Sequence, residues 1–506
     1  MVSPERRNVD SPSDWGKARR GANGWFRLAQ SAFVLFCAET LFSLPYRSIS
    51  LLRRPAFEAW IGALCVLAAI GVCFIFRQPV LRALGFLLRA PSVGNKAWLG
   101  FWLIVGLALR LVWALRFPLP LQSDNLVYYE VAARMAHGQA SASVFNPPGL
   151  SLFLVPFFMV FGSHPWVTTL CAMLLFTATY LLTYAIASRI QGGLAARIAP
   201  MLVAVWPCYF PLAGVNSKET LLAALVPAAL FFYLIASDSG TSPRGARIHW
   251  GYVIAAGLIM GFAALTQPAF LLFPMVIFGI EMLRGGGFLR AAGRTAVFSI
   301  VVLAAVLPWT YRNYLVLHRM VLISTNGGPV FYLANNPMAD PFINSGYQEV
   351  GEVDLPQDEF AADKLGYKLA GDWILHHPGA FAALMVKKQV VYLGDDAMGV
   401  FETLKRDLSL SSTLYAPAKA ISNLFWLALW AVLLLGFPLL FMVENWRLWY
   451  GVLFLPLLYE WVIESIFQGG ARHHVPYVAL IAVMVGMVLD LAVQPATTFR
   501  QVSPQP

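Results

Sequence analysis

The chain has 506 residues, of which 58% are hydrophobic and only 12% are charged. A soluble globular domain carries about twice that charged fraction, so a water-soluble enzyme is excluded and a polytopic membrane protein is implied. The formal net charge is +10, but the basic residues fall mostly in short loops, where the positive-inside rule accounts for them and nucleic-acid binding does not.

Apolar runs suited to crossing a bilayer, about 20 residues each, lie near 26–45, 57–76, 97–117, 165–188, 197–213, 219–237, 251–266, 268–284, 295–312, 421–443, 447–466 and 474–493. The expected fold is therefore all-α, with about 11–13 transmembrane helices and a small extracytoplasmic cap. Residues 1–25 are expected to form a basic cytoplasmic tail. An N-terminal transmembrane module follows over 26–312, the cap over 313–420, C-terminal transmembrane helices over 421–493 and a second tail over 494–506. Both tails are expected to be disordered. The first apolar run lacks an obvious small-residue cleavage site, so no cleaved signal peptide is expected. It contains Glu39, which leaves an interfacial position open for it.

Orientation follows from basic loops. Arg77, Arg82, Arg89 and Lys96 share one, Arg189 and Arg197 flank another, and Arg244 with Arg247 and Arg284 with Arg290 and Arg294 mark two more. With these loops cytoplasmic the segments alternate consistently, although Arg47, Arg53 and Arg54 then lie outside unless the first segment does not span. The run Gly149–Gly162 is apolar but short and holds Pro156; were it to span, every later basic loop would face outward, so a re-entrant or surface position is expected. The polar stretches then converge on the outer face. They are the first loop, 118–164; the turn Asn216-Ser217-Lys218-Glu219; Thr266-Gln267-Pro268; the segment from Tyr311 to about Ile421; and Arg472-His473-His474.

The long segment is too extended for a structureless loop, and Phe360–Leu375 and Pro378–Leu393 read as amphipathic helices within it. Cys37, Cys65, Cys73, Cys171 and Cys208 all lie in apolar runs without a CxxC, as small buried hydrophobes with no expected disulfide or metal role. Asp395-Asp396 and His376-His377 lack metal-ligand spacing, and no metal-ligating set is expected.

Asp124 opens an amphipathic run, with Val127, Val131 and Met135 on one face. A carboxylate held there at the bilayer surface suits a general base acting on an alcohol that meets a lipid-borne donor; helix capping by Ser123 or Asp124 is the alternative. Asn216 and Glu219 have the spacing of a capping box, whereas Lys218 opposes the helix dipole unless an anion such as phosphate binds beside it. Arg472 with His473 or His474 has the makings of a phosphate clamp or an interfacial anchor, and Glu460 and Glu464 are spaced to orient them. Arg312 and Asn313 are open to a snorkelling role.

Several stretches together resemble the GT-C membrane glycosyltransferases, among them the bacterial relatives of protein O-mannosyltransferases and of the lipid A aminoarabinose transferase. They are Ser123-Asp124 with Tyr128 and Ala132, Asn146-Pro147-Pro148-Gly149, Ala264-Leu265-Thr266-Gln267-Pro268, Pro308 to Tyr314, Ile323 to Gly328, Asn335-Asn336-Pro337, and His377-Pro378-Gly379 with Lys387. The likeness runs over about residues 95 to 490, and the segments before it have no counterpart. It implies transfer of a hexosyl or pentosyl group from a polyprenyl-phosphate or diphosphate carrier to a lipid, glycan or protein acceptor. The active site would face outward from the inner or plasma membrane. Asp124 would be the base, with the residues near Lys218 and Arg472 toward the carrier phosphate. Gln267 stands where that family often has arginine, and His473-His474 replaces a more usual Arg-Tyr.

An inverting displacement needs a base and charge neutralisation, not a nucleophile or a redox centre. No nucleotide-binding glycine loop and no DxD-type site in a suitable context is present in the sequence. No cofactor is assigned, and assistance by a divalent metal is left open. The alternatives are a lipid-linked glycan transporter or accessory binder, and a glycan polymerase or ligase.

Overall fold

The computed structural model describes residues 12–50, 56–88, 94–118, 121, 123–139, 143–236, 249–285, 287–342, 355–405 and 413–494. Regular structure among them is helical throughout. The first part comprises α1 (Pro12–Ser50), α2 (Ala56–Ile75), α3 (Arg77–Leu87), α4 (Asn95–Arg116), α5 (Ser123–Ala136), α6 (Gly149–Phe161), α7 (Pro165–Ile190) and α8 (Ala195–Val205). Then come α9 (Lys218–Ala236), α10 (Trp250–Thr266), α11 (Pro274–Leu283), α12 (Phe288–Leu317), α13 (Gly327–Ala334), α14 (Glu359–His376), α15 (Pro378–Leu393) and α16 (Met398–Leu404). The chain closes with α17 (Tyr415–Met442), α18 (Trp446–Trp449), a π-turn, α19 (Leu455–Ile466), a 3-10 turn (Ala471–Tyr477) and α20 (Val478–Val493).

Eight stretches among the described residues are long and apolar enough to cross a membrane. Several other expected spans are shorter or broken, and proline is the common cause. The run 197–213 stops as a helix at Val205 and turns through Phe210–Gly214, with Pro211 inside that turn. The run 268–284 is split into Pro268–Leu272 and α11, each opened by a proline. The run 447–466 carries the π-turn Tyr450–Phe454 just ahead of Pro456. Proline removes a helical N–H and clashes with the preceding turn, so it starts helices readily and interrupts them internally. The re-entrant candidate forms α6, whose 13 residues reach only about 20 Å, short of a bilayer core.

The N-terminus departs from expectation. Helix α1 begins at Pro12, inside the segment read as a disordered tail. Its span Gly24–Ser48 packs against α2, α15 and α17, and Glu39 accepts a hydrogen bond from Trp461 Nε1 at 3.0 Å. An internal partner thus explains a carboxylate in an apolar run. Residues 1–11 and 495–506 of the two tails lie outside the described residues.

Helix α20 is the central post. Every residue from Val478 to Ala492 is buried, as a helix apolar on all sides requires, and α3, α7, α8 and α17 surround it. Its one acid, Asp490, accepts hydrogen bonds from Leu194 N at 2.8 Å and Gln191 Nε2 at 2.9 Å, tying its end to the α7–α8 turn. Helices α2 and α4 bury little of their surface and form the periphery.

The two amphipathic helices of the long segment occur as α14 and α15, almost at their expected bounds. Helix α12 runs five residues past Arg312 before His318, in the left-handed conformation (φ 53°), ends it. There Trp309 Nε1, Thr310 Oγ1 and Asn313 Nδ2 donate to the carbonyls of Ile323, Leu322 and Val321 at 2.9, 2.8 and 3.0 Å. This ladder turns the chain back toward α13, which packs on α14.

Candidate active site

The site is assembled where the start of α9 meets the start of α5 and the turn before α20. Asn216 Nδ2 donates to Asn125 O at 3.0 Å, and Ser217 Oγ donates to Glu219 Oε2 at 2.7 Å. The expected Asn216–Glu219 capping box is therefore not formed. Asn216 bridges to the first loop, and Glu219 is spent on other partners. That bridge carries Asp124 to the same place. Asp124 is exposed in the first turn of α5, where a carboxylate favours the helix dipole. Ser123 before it adopts φ 52°, a left-handed conformation costly for a non-glycine residue.

Lys218 is half-buried and within electrostatic range of Glu219, Arg472, Asp124 and Glu464. Arg472 Nε lies 3.2 Å from Glu219 Oε1 and donates to His473 Nε2 at 3.4 Å. The other ring nitrogen, Nδ1, faces Glu464 Oε1 at 2.7 Å. The other Glu464 oxygen accepts from Gly470 N at 2.7 Å. Glu464 thus orients His473, as the spacing of the two glutamates suggested, while Glu460 accepts from Tyr477 OH at 2.8 Å.

Lys388 on α15 backs this turn. It is fully buried and donates to Asn335 Oδ1 at 2.8 Å and Ile466 O at 3.0 Å. Burial lowers its amine to about 7, against the opposing pull of Glu464. Sequence reading singled out its neighbour Lys387 and the Asn335-Asn336 pair, but nothing in one chain's sequence marks a lysine as buried.

Other expected site residues lie elsewhere. Tyr128 is 5% exposed in an apolar cluster with Leu150, Leu154 and Phe158 that also takes in Leu221 of α9. Arg312 donates to Asn313 Oδ1 at 3.2 Å and covers the Trp309 ring, within the ladder that ends α12. Gln267 caps α10 half-buried, beside the point where Gly149 meets Thr266. A Cβ on Gly149 would stand 2.2 Å from Thr266 Oγ1, so only glycine permits that approach.

His474 turns away from its neighbours into a second buried cluster. Its Nε2 lies 2.6 Å from Asp396 Oδ1, and Trp206 Nε1 donates to Asp396 Oδ2 at 2.9 Å. Burial holds the Asp396 carboxyl above its ordinary value, against the hydrogen bonds from His474 and Trp206. Burial acts on Asp395 in the same direction, but Arg47 and Lys419 outweigh it and hold that carboxyl low. Cys208 joins Asp396 and His474, and Glu460, Glu464 and His473 form a second group whose donor atoms are equally close. Nothing in the sequence spacing links Cys208, Asp396 and His474, whose positions lie far apart in the chain.

A narrow crevice runs between α6 and α7, lined by Leu150, Phe153, Leu154 and Leu175, and reaches Asn216 and Ser217.

Residues 146–311, about a third of the chain, match the family model described as dolichyl-phosphate-mannose-protein mannosyltransferase. The resemblance to GT-C membrane glycosyltransferases read from the residues is met over that third of the chain by the family match, and the described residues form a helical protein with eight stretches long and apolar enough to cross a membrane. Among solved structures it is similar to the Archaeoglobus fulgidus oligosaccharyltransferase, at 13% identity and a TM-score of 0.46. That similarity covers 78% of this chain and 51% of the other, so the chain spans about half the oligosaccharyltransferase's length. It is also similar to ArnT from Cupriavidus metallidurans, at 17% identity and a TM-score of 0.38, covering 78% of each chain. A further ArnT structure, bound to undecaprenyl phosphate, shows the same identity and TM-score over 79% of this chain and 77% of that one. No curated protein matches the chain.

Proposed function

We propose that this protein is an integral membrane glycosyltransferase. It moves a sugar from a polyprenyl-phosphate carrier to an acceptor on the extracytoplasmic side of the cell membrane. The observation that carries the reading is the meeting of one exposed carboxylate, Asp124, with Lys218 and Arg472 at a single junction of three distant segments. In the proposed step an acceptor hydroxyl oxygen attacks the anomeric carbon as Asp124 takes its proton. The bond from that carbon to the phosphate oxygen breaks, its electron pair stays on the phosphate, and Lys218 and Arg472 neutralise the charge. Displacement in one step inverts the anomeric centre.

The test is transfer by purified protein and its Asp124→Asn variant, given a panel of polyprenyl-phosphate sugars and membrane acceptors. Released polyprenyl phosphate that depends on Asp124 supports the enzyme. Saturable carrier binding with no release from any donor favours the rival reading, an accessory binder of lipid-linked glycans.

A further inference from the structure

We propose that Cys208, Asp396 and His474 form a buried binding site for a zinc-class divalent cation. The three residues come from the segment after α8, the α15–α16 connection and the turn before α20. They are 1%, 0% and 1% exposed, and their donor atoms lie within 4.8 Å of one another. One sulfur, one carboxylate oxygen and one imidazole nitrogen are a ligand set that suits zinc and disfavours magnesium or calcium.

The surroundings are arranged as those of a metal centre are. Trp206 Nε1 occupies Asp396 Oδ2 at 2.9 Å and leaves Oδ1 facing His474, and such outer hydrogen bonds orient a ligating carboxylate. Asn423 Oδ1 accepts from Asp396 N at 2.9 Å and fixes the backbone. The His474 ring stacks on Trp426 at 4.5 Å between centroids, which fixes its plane. The neighbouring cations, Arg47 and Lys419, are engaged by Asp395 at 3.7 and 2.8 Å. A divalent cation would balance the Asp396 carboxylate and a Cys208 thiolate in charge.

The second close group, Glu460, Glu464 and His473, is a weaker competitor. It offers no sulfur ligand, and the Arg472 guanidinium stands against His473, where its charge opposes a bound cation. A cation on Cys208, Asp396 and His474 would staple the far end of α15 to the turn that carries Arg472. The inference does not depend on the transferase reading.

The experiment is cobalt substitution of the full-length protein in detergent, with metal counted by mass spectrometry. The variants are Cys208→Ser and one with Cys37, Cys65, Cys73 and Cys171 all changed to serine. The expected result is about one cation per chain, with a thiolate-to-cobalt charge-transfer band that the four-serine variant keeps and Cys208→Ser loses. If Cys208→Ser fails to fold, the band in the four-serine variant alone decides the matter. Protein that takes up no cation on reconstitution overturns the proposal. So does cobalt bound without a thiolate band, or a band that survives Cys208→Ser.

Discussion

Arg472 Nε and Glu219 Oε1 stand 3.2 Å apart, joining the turn that opens α20 to the first turn of α9. Glu219 is buried and Arg472 partly so. Removing one partner of such a pair costs more than the pair contributes, because the other charge stays uncompensated. Arg472→Ala is expected to lower stability by about 1–3 kcal/mol, and Glu219→Gln by less. The double variant should cost less than the two single losses added together. Unfolding in detergent for the four proteins of this cycle checks it, and strict additivity would show that the pair is not coupled.

Lys218 should separate stability from activity. A cation at the start of α9 opposes the helix dipole by about 0.3–1 kcal/mol, partly offset by Glu219, Asp124 and Glu464. Lys218→Met is expected to leave Tm unchanged or higher while transfer falls at least about tenfold. Lys218→Arg should retain part of the rate. A variant that loses Tm and activity together would mark Lys218 as structural.

Gly149 is where α6 passes closest to the end of α10. A Cβ there would meet Thr266 Oγ1 at 2.2 Å and Thr266 N at 2.6 Å, the latter being backbone that cannot move aside alone. Gly149→Ala is expected to destabilise by about 1–3 kcal/mol or more. Tm and detergent-extracted yield report it, and a variant as stable as the parent would mean that α6 shifts freely.

Lys388 predicts a pH dependence. Burial lowers its amine from the ordinary value of 10.5 to about 7. Between those values the unfolded chain holds more protons than the folded one, so stability rises with pH across that window. It is lost as pH falls toward 7 and does not change further below. Relative to Lys388→Met, the parent's Tm should therefore climb from about pH 7 to about pH 9. Parallel curves over that range would show that Lys388 titrates normally.

The membrane class, most of the apolar segments and the two cap helices could be read from the chain itself. Each is a local property: run length for α7 and α17, periodicity with a proline at the first position for α15. Run length misled where proline broke the helix, as at Phe210–Gly214 and Pro268–Leu272. Asp124, Lys218, Arg472 and His473 stand out as candidates in the chain itself, because charge is conspicuous in a chain so poor in it. Tertiary structure alone decided which charges meet. It engaged Glu219 with Arg472 rather than with a cap and separated His474 from His473. Adjacent residues on a tight turn point in different directions. Partners such as Cys208, Asp396 and His474 are brought together only by helix packing, which leaves no spacing in the sequence.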